Sequence, residues 1–243
     1  GGWQSALRIV GVKIPFRTAC SGVMASQIGK YLPGNVGHYF FRHIAVRRSA
    51  PHVAHTSLIG GVGAETVLLF AACIALAAPL ASTPSSIVRT FPAPTSAGSA
   101  VVLLLLLLVA VRLLRRWKWL PPEQRAGQDV VWITCGLVCY LAFLFAASLM
   151  LGALLPGGTD PGRALAWLAT AWVAGYIVPG APGGLGVREA VLGAGLAQDI
   201  PAADAYAAVL MLRVVTLAGD GIMSAIGSAI GGLRFANDGR RYD

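Results

Sequence analysis

Two apolar stretches of this chain end in the same way, and that ending limits what the chain can fold into. The first runs through Gly29-Lys30-Tyr31-Leu32-Pro33-Gly34-Asn35-Val36-Gly37. The second runs through Gly175-Tyr176-Ile177-Val178-Pro179-Gly180-Ala181-Pro182-Gly183-Gly184-Leu185-Gly186. Each reads Gly-x-x-x-Pro-Gly, then more glycine, then an arginine. Matching interruptions in two halves of a membrane protein point to a transport site. Backbone that is not helical at membrane depth must be buried in protein or line a wet cavity. The pair therefore predicts internal repeats, with halves at about 18–116 and 130–233, and a cavity at the breaks.

Composition sets the solvent. The chain is 56% hydrophobic and only 12% charged, about half the charged fraction of a soluble domain. We expect an all-α, polytopic transmembrane bundle, residues 1–243 forming one integral-membrane domain, with two Pro-Gly-broken segments that could be re-entrant and could enter from the same face or from opposite faces. The net charge of +9 would suggest nucleic acid in a soluble protein. Here the basic residues sit beside apolar segments, so they speak for membrane topology and anionic headgroups, and against a nucleic-acid partner. Cys20, Cys73, Cys135 and Cys139 all lie in apolar stretches without metal-ligand company, and read as small buried hydrophobes.

Hydrophobic runs and turn residues divide the chain. Residues 3–17 mix apolar and basic positions and suggest an interfacial segment. Residues 18–32 lead to the first break, and a basic loop with Arg42, Arg47 and Arg48 follows. Spans are expected at 53–78, 99–116, 130–155 and 162–178, and a short helix at 187–197. Residues 202–233 fit one tilted span or a bent pair interrupted at Gly219-Asp220-Gly221; the basic tail favours the bent pair. The positive-inside rule makes the basic loops at 42–48 and 112–125 cytoplasmic, with the C-terminus, and the loops at 79–98 and 156–161 external.

Glu65 is the sharpest single residue, because a carboxylate inside an apolar helix must face a partner, a bundle interior or water. Arg213 and Asp220 raise the same question in the last apolar stretch, and Arg188 with Glu189 follow the second break. These charges could bind a phosphate or form internal ion pairs, among them Glu65 with Arg213 or Arg188. We expect Glu65 to pair with at least one of Arg42, Arg188 and Arg213. A glycine-rich turn into a helix start exposes unpaired N–H groups, which suits a phosphate, although the same glycines also serve a plain hinge. The four histidines fall between 38 and 55 without metal-ligand spacing and read as solvated or headgroup-facing. No Gly-x-Ser-x-Gly, His-Glu-x-x-His or Walker pattern occurs. No enzyme activity, cofactor or metal is expected.

The segment Ser26–Gly37 with Arg42 and Glu65 resembles the first signature of the lysylphosphatidylglycerol synthase transmembrane-domain family. Pro182-Gly183-Gly184-Leu185-Gly186-Val187-Arg188-Glu189 resembles its second, and Arg213 matches an arginine of the following helix. The family includes the flippase half of the bacterial multiple peptide resistance factor. The resemblance implies translocation of an anionic, aminoacylated or polyprenyl-linked lipid across a cell membrane, without the aminoacyl transfer, which belongs to a separate soluble domain. It implies a membrane lipid with a phosphate headgroup as partner, and a glycosyltransferase or synthase beside it. Substrate-binding residues would be Lys30, Asn35, Arg42, Glu65, Arg188, Glu189 and Arg213. The breaks would be shaped by Pro33, Gly34, Gly37, Pro179, Gly180, Pro182, Gly183, Gly184 and Gly186. One or two spans usually precede the first signature, so N-terminal spans are expected upstream of Gly1. His38 stands where many relatives carry an acidic residue, a departure that bears on substrate charge. The rivals are a membrane-embedded transferase, with Glu65, Glu189 or Asp220 as base, and a scaffold subunit for a glycosyltransferase.

Overall fold

The computed structural model describes residues 1–32, 37–77, 126–157, 159–178 and 181–231. Among these, every regular element is a helix: α1 (Gly2–Ile9), α2 (Phe16–Ala25), α3 (Gly37–Ser49), α4 (His55–Ala77), α5 (Ala126–Leu154), α6 (Pro161–Ile177), α7 (Val187–Leu196) and α8 (Ala202–Gly231). Two 3-10 turns, Gln27–Tyr31 and Pro182–Gly184, interrupt the order after α2 and α6. The expected span at 99–116, the loops at 79–98 and 112–125, the basic tail, and Pro33, Gly34, Asn35, Pro179 and Gly180 lie outside the described residues.

Among the described residues, three helices are long and apolar enough to cross a membrane: α4, α5 from Val130, and α8 to Ile230. The chain is thus an all-α membrane protein. Helix α6, expected as a fourth span, has 17 residues; at 1.5 Å per residue that is about 25 Å, short of a ~30 Å hydrocarbon core. Its ends follow from sequence. Asp160 caps the start, accepting from Gly162 N at 2.8 Å, with Pro161 as the first helical residue. Val178 turns extended just before Pro179, where an α conformation would clash with the proline ring.

Four sequence expectations about the fold are corrected. The interfacial segment 3–17 is instead the docked helix α1 and the start of α2. Trp3, Ala6, Leu7 and Val10 recur at helical spacing and are all buried, in a core with Leu58, Ala64 and Leu68 of α4. Arg8 tolerates this position because its guanidinium lies 5.3 Å from the Trp132 ring. Helix α1 ends in a Schellman motif: Gly11 has φ 80°, Gly11 N donates to Arg8 O and Val12 N to Leu7 O. The basic loop after the first break is mostly α3, and Arg42 on it is buried. Residues 202–231 form one continuous helix rather than a bent pair. Interior glycines cost a helix only about 1 kcal/mol each against alanine, and Asp220 finds partners without any break, as described below. The cysteines also divide: Cys73 is buried but Cys135 is exposed, on an outward face of α5 shared with Val131 and Phe145.

Close helix contacts rest on small residues. Helices α2 and α8 meet where Gly227 lies against the backbone of Met24 and Ala25, and Ser224 Oγ donates to Ala25 O at 2.9 Å. A Cβ at Gly227 would collide with the Ala25 backbone nitrogen, which cannot swing aside. Gly227→Leu is therefore expected to part α8 from α2 and abolish the monodisperse peak in detergent chromatography. Gly221→Leu, where no atom stands within 4 Å of the new Cβ, should elute as the parent protein does.

Candidate functional site

The two 3-10 turns face each other. A Cβ on Gly183 would lie 2.9 Å from the Tyr31 ring, so the second turn sits directly against the first. Gly183, Gly184 and Gly186 have φ of 59°, 73° and 80°, a region that side chains disfavour. Gly37 is needed for a different reason: its Cβ position is occupied by the Gly29 carbonyl and Leu32. Around this junction opens a cavity of about 780 Å³. Lys30, Arg42, Glu65, Arg188, Glu189 and Arg213 all line it. Gly183 lines it too, whereas Gly37, Pro182, Gly184 and Gly186 shape its surroundings.

The first charge cluster joins α3 to α4. Arg42 Nη1 donates to both carboxylate oxygens of Glu65, at 2.7 and 2.6 Å. Arg42 Nε donates to Ser26 Oγ at 3.1 Å, and Tyr140 OH donates to Glu65 Oε1 at 2.8 Å. Both charged residues are buried, at 8% and 9% exposure, and the Arg42 guanidinium is flanked by the Trp3 and Tyr39 rings. Glu65 thus has the arginine partner it was expected to need, and the partner is Arg42. A hydroxyl chain runs alongside: Tyr39 OH and Tyr176 OH are 2.6 Å apart, and Tyr176 OH and Thr66 Oγ1 2.8 Å.

The second cluster ties the first turn to α8. Lys30 Nζ lies 2.6 Å from Asp220 Oδ2, and Tyr31 OH donates to the same oxygen at 2.5 Å. The third cluster ties the second turn to α8. Arg213 Nη2 donates to Gly183 O at 3.3 Å. Arg213 Nε is 3.1 Å from Glu189 Oε1, an ion pair in which the N–H is not aimed at the oxygen.

Arg188 differs from the other cavity cations. It stands in the first turn of α7, with its guanidinium 3.8 Å from the Trp172 ring centroid. Gly175 and Gly184 make room for it; a Cβ at Gly184 would come within 2.6 Å of its Nε. Among the described residues no carboxylate pairs with it, and its buried Nε has no hydrogen-bond acceptor. Across the described lining, four cationic side chains face three carboxylates, and the unmatched one is Arg188. His38 adds no charge. It lies on α3, outside the three spanning helices, and burial, then Arg42 and Lys30, push its pKa down to about 3. It lines the cavity rather than facing open solvent, unlike His52 and His55.

Sequence reasoning left Tyr31, Tyr39, Tyr140, Trp172 and Tyr176 out of the site. Tyr31 was within reach, since it sits inside the first Gly-x-x-x-Pro-Gly segment. Asp220 was raised there as a charge in an apolar stretch that could form an ion pair, but it was not placed among the substrate-binding residues, and its partners Lys30 and Tyr31 were not foreseen. Nothing in the sequence marks Trp172.

Comparison with curated proteins and with solved structures gave no match. Comparison with protein families gave one: the pattern described as "Lysylphosphatidylglycerol synthase TM region" matches residues 1–223. The two broken segments, the buried Arg42–Glu65 pair and Arg188 all fall inside the matched stretch, and the chain therefore belongs to the lysylphosphatidylglycerol synthase TM region family, membrane proteins with a lipid-related function.

Proposed function

We propose that this protein moves a lipid with a phosphate headgroup between membrane leaflets, the headgroup crossing through the cavity while the acyl or prenyl chains stay in the bilayer. The observation that carries this reading is Arg188. A guanidinium held at a cavity wall without a carboxylate is costly unless something anionic arrives. Its planar fork suits a phosphate. The Trp172 face holds it from the other side. Lys30, Arg42 and Arg213 lie in the same cavity and add positive field without offering free charge, since each is paired. The family supports a lipid as the source of the phosphate. In this reading the protein is multi-pass in the cell membrane, with its basic loops and C-terminus on the cytoplasmic side and a glycosyltransferase or synthase as its neighbour.

The transferase reading is weaker on chemistry. A general base needs a free lone pair near a hydroxyl. Glu65 is engaged by Arg42 and Tyr140, and Asp220 by Lys30 and Tyr31, so the transferase reading rests on Glu189 alone, whose Oε2 has no donor among the described residues. Reconstitution separates the readings. In proteoliposomes holding a trace of headgroup-labelled phospholipid, the purified protein is expected to make the label accessible from the opposite leaflet with no change in lipid mass. A new lipid product would establish the transferase. Labelled lipid that neither moves nor changes would favour the scaffold.

A further inference from the structure

Two histidines close a corner of the fold that the lipid reading does not use. His43 Nε2 and His55 Nδ1 lie 2.7 Å apart. The ring planes are within 18° of each other, and the centroids, at 4.7 Å, are farther apart than the nitrogens. The rings therefore meet edge to edge, with an N–H of one against the lone pair of the other. His43 is on α3 and His55 begins α4. We propose that this pair is an acid-released latch, which holds α3 to the start of α4 at neutral pH and lets go when both imidazoles are protonated.

The latch matters because of what α3 carries. The helix packs on α2 and on the first turn. It reaches α4 through side chains, and two of those bonds are neighbours: Arg42 to Glu65 and His43 to His55. The same helix brings His38, Tyr39 and Arg42 to the cavity wall. The arginine bond is buried, whereas the histidine bond is open to solvent protons. Acid can thus release the corner and leave the deeper bond as a pivot for α3.

The chemistry of the pair sets the direction. One added proton can sit on an outer ring nitrogen and leave the bond intact. A second cannot, because both facing nitrogens then carry hydrogen. Two imidazolium charges would also crowd Arg47, whose Nη1 donates to Val53 O at 2.8 Å across the α3–α4 turn. No acid stands by to offset them. The elements packed on α3 bring Arg17, Cys20, Lys30 and Tyr31, the α3–α4 turn brings His52, and the chain holds no Asp or Glu before Glu65. Glu65 itself is engaged by Arg42 and Tyr140. Burial, then His55 and Arg47, lower the pKa of His43 from its ordinary 6.5. A histidine with a lowered pKa supports the fold fully above about 6.5 and withdraws that support as the pH falls below it. Arg47 also opposes a metal cation at this corner, and among the described residues no third ligand completes a metal site.

The test is hydrogen–deuterium exchange of the full chain in detergent, followed by mass spectrometry of peptides spanning residues 43–58 and corrected for the intrinsic effect of pH. Protection at this corner is expected to fall about tenfold between about pH 7.5 and about pH 5, the upper range of one hydrogen bond. His43→Gln with His55→Asn places amide groups near the two facing nitrogens and cannot titrate. In that double variant protection should change by less than about twofold, while His52→Gln should behave as the parent does. An unchanged corner in the parent overturns the proposal, and so does a fall of the same size in the double variant. Should the double variant not fold, ring resonances of the parent decide. The pair is then expected to titrate in two steps, the second below about 6.5 and together with the loss of protection. Independent titration of both rings near about 6.5, with protection retained, overturns the latch.

Discussion

Glu65→Ala is expected to lower the thermal midpoint of the detergent-solubilised protein by roughly 10 °C or more. The substitution leaves Arg42 buried without its carboxylate and strips Tyr140 of its acceptor. Breaking a buried pair from one side costs about 3–5 kcal/mol, a large share of the 5–15 kcal/mol that holds a typical domain folded. In a chain of this size each kcal/mol moves the midpoint by about 2–4 °C. Arg42→Met combined with Glu65→Leu should recover most of the loss, because it removes both charges and keeps the volume. A midpoint for Glu65→Ala within 2 °C of the parent would mean that the pair does not hold α3 to α4.

Arg188→Ala should do the opposite: leave the midpoint nearly unchanged and remove most of the headgroup binding. Among the described residues the guanidinium has no carboxylate partner to orphan, and its loss also removes an uncompensated charge; only the stacking on Trp172, about 1 kcal/mol, is given up. Lost headgroup affinity should be roughly tenfold to a hundredfold, the range of a charge-assisted hydrogen bond in a dry site. Arg188→Lys should fall between, since lysine keeps the charge but not the planar fork. Lipid titration followed by native mass spectrometry, beside thermal unfolding of the same samples, reads both quantities. Unaltered lipid retention by Arg188→Ala at normal yield would remove the main support for a phosphate site.

The long apolar helices were legible because length and hydrophobicity are local properties. The segments 53–78, 162–178 and 187–197 match α4, α6 and α7 to within two residues at each end. Helix α3 was not legible. Its sequence, Gly37–Ser49, is aromatic and basic without an apolar stripe, and it is held by what Arg42, Ala45 and Val46 bury. Helix α1 mixes Trp3, Leu7 and Arg8 as a surface helix would, and the small face of α4 at Gly61, against which Leu7 and Trp3 pack, makes it a core element. At the site, the residue types were readable but their pairing was not. Nothing in sequence separation tells Glu65 to choose Arg42 over Arg188, or leaves Arg188 alone. Those choices are made by where α3 and α7 come to lie.

Helix α8 carries Arg213, Asp220, Ser224 and Gly227, and these grip the second turn, the first turn and α2 in succession. About 16 Å of helix separates Arg213 from Ser224 at 1.5 Å per residue, and a helix does not stretch. The gap between the two turns therefore cannot widen while every grip holds. Parting them requires either that the Gly183 carbonyl slips from Arg213 or that Lys30 and Tyr31 release Asp220. The unbroken helix works as a drive shaft: it gears the two ends of the molecule to each other, so that they cannot swing independently about a glycine joint.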